Sequence, residues 1–256
     1  MRIHASTVFI PGATSGIGLA LALRLRELGS TVVIGGRRGE LLDQLAAEHP
    51  GLGTVQIDTA DAKSIEAAAE EVLAAHPDLD VLVTMAGIMR AEDWTTPEGF
   101  LATAEATVTT NLLGPIRLVA AFIEHLRSRP EATIMTVSSG LAFVPLEVTP
   151  TYNATKAAVH QLTDSVRLQL AGTSVRMVEL VPPAVRTGLM PGQETSDVAM
   201  PLEDFVAEVV ALLEAHPDAD EILVENVKPL RYAEARGVRA EVVASLNSRD
   251  PHARQR

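Results

Sequence analysis

The chain alternates between short apolar runs and longer segments in which apolar residues recur every three or four positions. The short runs are rich in Val, Ile and Thr and predict β-strands, while the longer segments predict amphipathic helices. Strict alternation of the two, with strands that are apolar throughout, predicts a parallel sheet covered by helices on both faces. The predicted strands are 7–10, 31–34, 54–57, 81–84, 133–137, 175–181 and 221–224, and the predicted helices are 16–28, 40–48, 62–75, 99–127, 151–170 and 202–215.

The fold class that fits this order is α/β, a Rossmann-like doubly wound parallel sheet of about seven strands. In this architecture ligands bind outside the carboxyl ends of the strands. The 256 residues suffice for one domain with a sizeable core, and no linker or low-complexity tract divides them. We therefore predict a single domain over 1–256. Its polar, arginine-rich tail over 237–256 is expected to form a short helix or a frayed end.

Composition and charge narrow the range of partners. The formal net charge is −12, so the phosphate backbone of a nucleic acid is an unfavourable partner. The chain has no cysteine, which excludes disulfides and thiolate zinc sites and fits a reducing cytoplasm. The N-terminus shows no secretory signal pattern, and no uninterrupted apolar run approaches the ~20 residues of a spanning helix. We predict a cytoplasmic protein that binds neither nucleic acid nor membrane.

Three His-Pro pairs, at 49–50, 76–77 and 216–217, each follow a predicted helix and precede a predicted strand. A histidine near the negative end of a helix, followed by a proline that prevents continuation, is typical of a helix stop. These loops lie at the edge of the sheet opposite the carboxyl ends of the strands. We therefore predict no metal site.

The first strand leads into a helix through the segment VFIPGATSGIG, residues 8–18. Gly12 permits a tight turn, Gly16 lets backbone N–H groups approach a pyrophosphate, and Gly18 allows close packing of helix on strand. The positive end of helix 16–28 then faces the phosphates. The placement predicts a nucleotide site, and a plain turn between strand and helix is the alternative.

The end of the second strand indicates which dinucleotide is bound. An NAD site usually has Asp or Glu there for the ribose 2′-hydroxyl, whereas an NADP site offers Arg to the 2′-phosphate. This chain has Gly35 and Gly36, followed by Arg37 and Arg38. A guanidinium can hold a phosphate through two parallel hydrogen bonds. We predict that NADP(H) is preferred and NAD(H) is possible; a solvated helix start is the alternative role for the arginines.

A candidate proton-transfer group lies in TYNATKAAV, residues 151–159. Tyr152 and Lys156 are four residues apart at the start of a helix, so both lie on one face. The chain has only two tyrosines and three lysines, and it otherwise uses arginine for positive charge. An ammonium ~4 Å from the phenol lowers its pKa by about one to three units at an effective dielectric of ~20. The hypothesis is that Tyr152 acts as the acid/base and that Lys156 adjusts its pKa. The alternative is a surface tyrosine stacked on the aliphatic part of the lysine.

Two serines, Ser138 and Ser139, end the fifth strand at the edge where ligands bind. A hydroxyl at this position can donate a hydrogen bond to a substrate carbonyl and polarise it. The same residues could equally cap a turn, so the pattern leaves both roles open.

Taken together, PGATSGIG, MAGI, TNLLG, VSSG, YNATK and PPAVRT resemble the short-chain dehydrogenase/reductase family, in its shorter single-domain branch. These motifs stand in the order and spacing of that family, over roughly 7–224. Within it, SSGLAFVPL, PPAV and the terminal DADEILV…VKPLR look most like the DltE-like oxidoreductases. The resemblance implies an oxidoreductase that transfers a hydride between a nicotinamide and a ketone, aldehyde or alcohol. Its catalytic tetrad would be Asn111, Ser139, Tyr152 and Lys156.

The resemblance also implies roles for individual residues. Tyr152 would donate the proton, Ser139 would hold the carbonyl, Lys156 would bind the nicotinamide ribose and Asn111 would position a water. Asp58 would contact the adenine, and Thr187 would lie near the nicotinamide amide. The cofactor-binding residues are then Gly12, Thr14, Ser15, Gly16, Ile17, Gly18, Arg37, Arg38, Asp58, Ala86, Gly87, Tyr152, Lys156, Pro182, Val185 and Thr187.

The same resemblance extends to the substrate and the assembly. Residues 188–215 contain the segment where the family carries a mobile substrate loop. Residues near Val144, Leu146, Leu189 and Met190 suggest an apolar pocket for a small carbonyl or alcohol substrate. The long helices 99–127 and 151–170 correspond to the pairing surface of the family, which implies a homodimer or homotetramer.

The chain departs from the family pattern at three places. The usual TG turn is Pro11-Gly12, the usual NNAG begins with Thr84-Met85, and the usual PG is Pro182-Pro183. A proline suits the end of a strand but not its middle. Because both sides of the contact between the first and fourth strands have changed, we expect an apolar contact of Met85 to replace polar bonds there.

Two other functions compete with the reductase. A regulatory protein that senses NADP(H) without turnover would have no need of the complete tetrad. A sugar-nucleotide epimerase or dehydratase of the longer branch would have different glycine spacing and a larger C-terminal substrate domain. This chain has neither feature.

Overall fold

A computed structural model describes residues 3–249 of the chain. Seven parallel strands form one sheet in the order β3-β2-β1-β4-β5-β6-β7. The predicted doubly wound sheet is therefore confirmed. The strands are β1 Thr7–Pro11, β2 Thr31–Gly36, β3 Gly53–Gln56, β4 Val81–Thr84, β5 Ala132–Val137, β6 Val175–Leu180 and β7 Glu221–Ile222.

Helices cover both faces of the sheet, as the alternating pattern predicts. Helices α1, α2 and α7 pack on one face with residues such as Leu25, Leu42 and Phe205. Helices α3 and α5 pack on the other with Ile65, Phe122 and their neighbours. The helices are α1 Gly16–Glu27, α2 Gly39–Glu48, α3 Ala62–Ala75, α4 Leu101–Val108, α5 Gly114–Ser128, α6 Pro150–Leu170, α7 Leu202–Ala215, α8 Lys228–Arg231 and α9 Arg239–Arg249.

The predicted helix 99–127 is two α-helices joined by a π-helical turn over Thr109–Leu113. Apolar periodicity does not reveal the π-helical turn, because its one extra residue moves the later apolar positions by only one place along the sequence. Single π-turns of this kind are frequently found at functional sites. The stretch Pro97–Ser128 is long and apolar enough to cross a membrane by length and composition. In this fold its second half places Leu118, Phe122 and Leu126 in the core.

The predicted loop segment 188–215 has a different structure from that expected, whereas the tail forms the short helix that was one of its two expected states. In 188–215 the irregular part ends before α7, whose apolar face lies in the core through Phe205, Val209 and Leu213. A bridge between Val185 and Met200 closes the irregular part into a loop. In the tail 237–256 the helix α9 is formed, and residues 250–256 lie outside the described part of the chain.

Pro11 is the last residue of β1 and pairs with Gly35 of β2. The next N–H, that of Gly12, donates to the Gly35 carbonyl at 2.8 Å. Because successive N–H groups of a strand point to opposite sides, the Pro11 nitrogen faces β4. The β1–β4 ladder has already ended there, at the pair Phe9 and Leu82. The ladder thus stops where the proline has no N–H to donate, and the Val83 carbonyl of β4 accepts from the Met85 N–H at 2.9 Å.

The order of the strands reverses between β1 and β4, so their carboxyl ends open a crevice at that point. Met85, just after β4, packs against the core cluster that contains Ile10 and Ala13. That this packing replaces polar bonds beside Pro11 stays a prediction. The neighbouring Thr84 hydroxyl is buried and has no hydrogen-bond partner within residues 3–249.

Candidate active site

The turn after β1 is built around two glycines with positive φ, Gly12 at 87° and Gly16 at 57°. A Cβ on Gly12 would lie 2.5 Å from the Cα atom of Ala86, so no side chain fits between the first and fourth strands. A Cβ on Gly16 would lie 3.3 Å from the Thr187 methyl. Helix α1 begins at Gly16, and its N-cap Ser15 makes no side-chain capping bond. The backbone donors of the first turn therefore point into the crevice.

The end of β2 leaves no room for an acidic residue. A Cβ on Gly36 would lie 2.4 Å from the Thr14 methyl, and one on Gly35 would lie 2.6 Å from Ile57. Arg37 and Arg38 follow and are exposed. In the described part of the chain, neither guanidinium makes a hydrogen bond or an ion pair. The edge of the crevice beside Thr14 thus carries two free cationic groups.

Asp58 follows β3 at the same edge of the sheet and is half-buried. Its Oδ1 accepts a hydrogen bond from the Ala60 N–H at 3.0 Å, and its own N–H donates to Ser64 Oγ at 2.9 Å. These bonds fix the turn between β3 and α3. Oδ1 is thus engaged in the turn that precedes α3.

Asn111 lies in the π-helical turn and is 1% exposed. Its Oδ1 accepts from the Ile88 N–H at 2.8 Å, and its Nδ2 donates to the Ile88 carbonyl at 2.8 Å. A further, longer bond of 3.4 Å reaches the Thr155 hydroxyl. The Asn111 carboxamide therefore joins the π-helical turn to Ile88, the residue that follows Gly87 after β4. In this arrangement the side chain is occupied by protein groups.

Tyr152 lies in the first turn of α6 and is 7% exposed. Burial raises the pKa of its phenol to about 12, and a hydrogen bond with Ser139 acts in the opposite direction. Ser139 also accepts from the Leu141 N–H at 3.1 Å and caps the short helix Gly140–Ala142. Of the two serines, Ser139 is thus the one that meets Tyr152.

The expected lowering of the Tyr152 pKa by Lys156 is wrong for this structure. The Lys156 Nζ lies 5.6 Å from the centre of the Tyr152 ring and donates to the Val137 carbonyl at 2.7 Å. Both side chains are buried, so desolvation exceeds their mutual attraction. The same burial lowers the pKa of Lys156 to about 8.

A buried carboxylate that the sequence analysis missed fixes the start of α6. Glu92, 3% exposed, accepts hydrogen bonds from the Thr151 N–H at 3.1 Å and the Thr151 hydroxyl at 2.9 Å. The Trp94 indole donates to the same oxygen at 2.9 Å. Negative charge at a helix N-terminus stabilises the helix, and here it holds the turn that carries Tyr152. The spacing of about sixty residues to its partner gave no local pattern in the sequence.

A cavity of about 340 Å³ joins the glycine turn to the proton-transfer group. Twelve of the predicted residues line it, namely Gly12, Ser15, Gly16, Ile17, Gly18, Gly87, Ser139, Tyr152, Lys156, Pro182, Val185 and Thr187. Thr14, Arg37, Arg38 and Asp58 follow strands β1, β2 and β3 and are not among the lining residues. Ala86 lies against Gly12, and Asn111 lies beside Gly87. Gly188, Leu189 and Gln193 of the predicted substrate segment also line the cavity. Lining residues that were not predicted as cofactor or catalytic residues are Met85, Ile88, Met89, Arg90, Val137, Ser138 and Pro183.

The substrate side of Tyr152 is an apolar cluster of Met89, Leu146, Val148 and Met190. Leu146, Leu189 and Met190 of the predicted pocket thus lie there or in the cavity wall, whereas Val144 is fully buried elsewhere. Helix α9 covers this cluster through Leu246. The adjacent Asn247 accepts from the Glu147 N–H at 2.7 Å and donates to the Pro145 carbonyl at 3.1 Å.

The residues at this crevice fit a nicotinamide dinucleotide. The cradle at Gly12 and Gly16 admits only backbone, and the first turn of α1 offers N–H groups to a pyrophosphate. The Ser138 hydroxyl is buried, lines the cavity and has no partner among the described residues. Such a group is typical of a surface that meets a polar ligand.

The comparisons with known proteins agree with this geometry. Residues 6–197 match the family model described as short chain dehydrogenase. Over 189 residues, 74% of this chain and 75% of the relative, the sequence is 43% identical to the uncharacterized oxidoreductase DltE of Bacillus subtilis. A short-chain dehydrogenase of Burkholderia cenocepacia in complex with NADP superposes with a TM-score of 0.80 at 26% identity, covering 96% of this chain and 99% of that one.

A second solved structure extends the comparison to the other dinucleotide. The 3-ketoacyl-(acyl-carrier-protein) reductase of Brucella melitensis, complexed with NADH, has a TM-score of 0.75 at 26% identity and covers 86% of this chain and 96% of that one. Fold, site and sequence therefore lead to the same conclusion. The chain belongs to the short-chain dehydrogenase/reductase family of oxidoreductases and is similar to DltE.

Proposed function

We propose that this oxidoreductase is an NADP(H)-dependent carbonyl reductase and alcohol dehydrogenase in which Tyr152 transfers the proton. The observation that carries the proposal is the convergence of Ser139, Tyr152 and Lys156 on one cavity with the glycine turn. A dinucleotide laid on that turn extends toward these three side chains.

The proton step follows from the state of Tyr152. The dinucleotide, when bound, supplies the hydride to the carbonyl carbon. The carbonyl oxygen then needs a proton, and Tyr152, with a pKa of about 12, still carries one at neutral pH. The Ser139 hydroxyl accepts from the Leu141 N–H and is bonded to Tyr152, and in the proposed step it turns its proton toward the carbonyl oxygen of the bound substrate. In the oxidative direction Tyr152 takes the proton back from the alcohol.

The positive charge of Lys156 supports proton transfer by Tyr152. Its ammonium lies over the ring of Tyr152 and is held by the Val137 carbonyl. When the phenol loses its proton, a buried negative charge forms beside a buried positive one, which lowers the energy of the phenolate. A lysine ammonium is also the group that the family places on the nicotinamide ribose, and that contact is part of the proposal.

The preference for NADP(H) rests on charge and space at the end of β2. A side chain at position 36 would collide with Thr14, so the position has no room for the carboxylate typical of an NAD site. Arg37 and Arg38 are exposed beside it and have no protein partner in the described residues. A phosphate dianion there gains charge-assisted hydrogen bonds without breaking an ion pair. Asp58 then faces the adenine.

Substrate and assembly follow from the surfaces around the site. The apolar cluster with Met89 and Met190 favours a small carbonyl or alcohol with an apolar flank. Leu101 of α4, Leu113 of the π-helical turn and Ile116 of α5 are exposed apolar residues on the helices through which the family pairs, so we infer a homodimer or homotetramer. We infer a cytoplasmic location, which the lack of cysteine favours.

A panel of ketones and aldehydes tests the proposal, with loss of reduced-cofactor absorbance as the measurement. The proposal predicts turnover with NADPH that exceeds turnover with NADH. Tight binding of NADPH without turnover on any carbonyl would instead identify a regulatory protein that senses NADP(H). Faster turnover with NADH would identify an NAD(H)-preferring dehydrogenase.

A further inference from the structure

A buried carboxylate lies behind the catalytic lysine. Glu179 is on β6 between β5 and β7, is 0% exposed, and pairs in register with Thr136 and Glu221. Its Oε2 is 2.8 Å from the His160 Nδ1. Its Oε1 is buried and has no hydrogen-bond partner within residues 3–249. An isolated carboxylate in such a position is costly unless positive charges lie close to it.

Helix α6 brings two such charges to the same side of the sheet. His160 follows Lys156 by four residues, so the two side chains lie one turn apart on one helix face. Lys156 donates to the carbonyl of Val137, which pairs with Leu180, the neighbour of Glu179. The Glu179 carboxylate is therefore bound by His160, one helical turn beyond Lys156, while its second oxygen makes no hydrogen bond to the lysine.

The remaining charges around Glu179 are already paired. Glu221 of β7 is bound by Arg231 of α8 through both oxygens, with a closest contact of 2.8 Å. Ligand atoms of His160, Glu179 and Glu221 lie within 4.8 Å of one another. Because Arg231 already neutralises Glu221, we do not assign a metal ion to them.

The other contacts of His160 keep its ring in place. Phe143 packs edge-on against the ring at 4.7 Å between centroids, and Arg231 lies 4.5 Å from the Phe143 centroid. Asp164, at 3.9 Å from the His160 Nε2, is itself bound to Arg167. The His160 imidazole is thus fixed with Nδ1 toward Glu179.

We propose that Glu179 is a positioning residue of the active site, a counter-charge clamped by His160 that keeps Lys156 in its ammonium form behind Tyr152. The proposal deepens the proposed function and rests on it for the role of Lys156 in proton transfer. A neutral lysine would leave the Tyr152 phenolate without a partner charge and so slow the proton step. Neither Glu179 nor His160 belongs to the tetrad of the family.

The electrostatics of the pair act in the required direction. Burial lowers the pKa of Lys156, and the charge of Glu179 acts against that lowering. The hydrogen bond to Glu179 raises the pKa of His160. The groups that face this cluster are Lys156, His160 and Asp164 from α6, Glu221 from β7 and Arg231 from α8.

The test uses the rarity of lysine in this chain. Only Lys63, Lys156 and Lys228 are present, so ¹³Cε-lysine labelling gives three NMR signals whose titrations can be followed singly, with Lys156→Met identifying the buried one. In Glu179→Gln we expect the titration midpoint of Lys156 to fall by about one pH unit or more. Glu221→Gln, the same change at the register partner, is the matched control and leaves the midpoint in place.

Two further variants separate charge from structure. Glu179→Asp keeps the charge, so its Lys156 midpoint stays close to that of the wild type. If Glu179→Gln does not fold, Glu179→Met combined with His160→Leu replaces the pair by apolar side chains, a change that folded proteins commonly tolerate. That variant is expected to show the same fall. An unchanged Lys156 midpoint in a folded variant without the carboxylate overturns the proposal.

The pH profile of carbonyl reduction provides the second readout. The alkaline limb of turnover moves to lower pH in Glu179→Gln and stays in place in Glu221→Gln. Because the NMR titration does not depend on turnover, it distinguishes the two proposals. A shifted Lys156 midpoint in a protein that reduces no carbonyl would sustain the electrostatic role and reject the proposed function.

Discussion

The ammonium of Lys156 lies 5.6 Å from the centre of the Tyr152 ring and is bound to the Val137 carbonyl rather than to the phenol oxygen. Both groups are buried, and burial opposes charge on each of them. Tyr152 therefore keeps its proton at neutral pH, which suits the donor in carbonyl reduction. In the proposed mechanism the charge of Lys156 stabilises the phenolate that forms when Tyr152 loses that proton.

The buried lysine makes stability depend on pH. Its pKa is about 8 in the folded chain against 10.5 for the free side chain. Between these values the unfolded chain binds more protons, so the free energy of unfolding rises with pH. Above pH 10 the raised pKa of Tyr152 acts in the opposite direction, because the folded chain then holds the extra proton. The predicted window of rising stability is thus pH 8 to 10.

Urea unfolding of wild type and Lys156→Met across this window isolates the effect. The difference in unfolding free energy between the two proteins should change by about 2 kcal/mol between pH 8 and 10, in favour of the wild type at higher pH. A difference that stays constant would show that Lys156 remains charged throughout the range.

Asn111 gives a prediction for stability. Replacement by Ala leaves the N–H and carbonyl of Ile88 without their partner. Loss of such bonds in a buried setting costs about 1–3 kcal/mol. Unfolding in urea should show this loss for Asn111→Ala. Thr110→Ala, in the same π-helical turn, is the control and should stay within about 0.5 kcal/mol of the wild type.

Arg37 gives a prediction for cofactor choice. Arg37→Ala removes a cation beside the position of the 2′-phosphate, so binding of NADPH should weaken by about tenfold or more, while binding of NADH changes little. Fluorescence titration with each cofactor measures the two constants. Arg24→Ala, an exposed arginine paired with Glu27 on α1, is the control. Equal losses for both cofactors in Arg37→Ala would contradict the preference for NADP(H).

Pro11 gives a prediction that separates packing from hydrogen bonding. Pro11→Thr adds an N–H that faces β4 beyond the end of its ladder, where Met85 contributes an apolar contact. The Val83 carbonyl of β4 already accepts from the Met85 N–H at 2.9 Å, so the new donor gains no free strand acceptor and the melting temperature should not rise. A clear rise in Tm would mean that the proline costs the sheet a hydrogen bond after all.

Much of the fold followed from the sequence because its signals are local. Apolar runs gave all seven strands, and the glycine turn marked the crevice. The spacing of Tyr152 and Lys156 marked the chemistry. The π-helical turn at Thr109–Leu113 was missed, because apolar spacing is almost the same on either side of it.

The rest depends on partners that are distant in sequence. Glu92 and Thr151 meet across 59 residues, and Glu147 and Asn247 meet across 100. Neither pair leaves a pattern in its own segment. The predicted direction of the Tyr152 pKa shift was wrong for a related reason. Desolvation depends on how deeply the folded chain buries a group, and a spacing of four residues carries no information about that depth.

Tyr152→Phe tests the central claim most directly, because it removes one hydroxyl and leaves the ring. Turnover with NADPH and a reducible ketone should fall by about a hundredfold to ten-thousandfold, while the Kd for NADPH stays within about threefold. Tyr232→Phe, at the other tyrosine of the chain, should change neither quantity. Turnover of Tyr152→Phe close to that of the wild type would contradict the account.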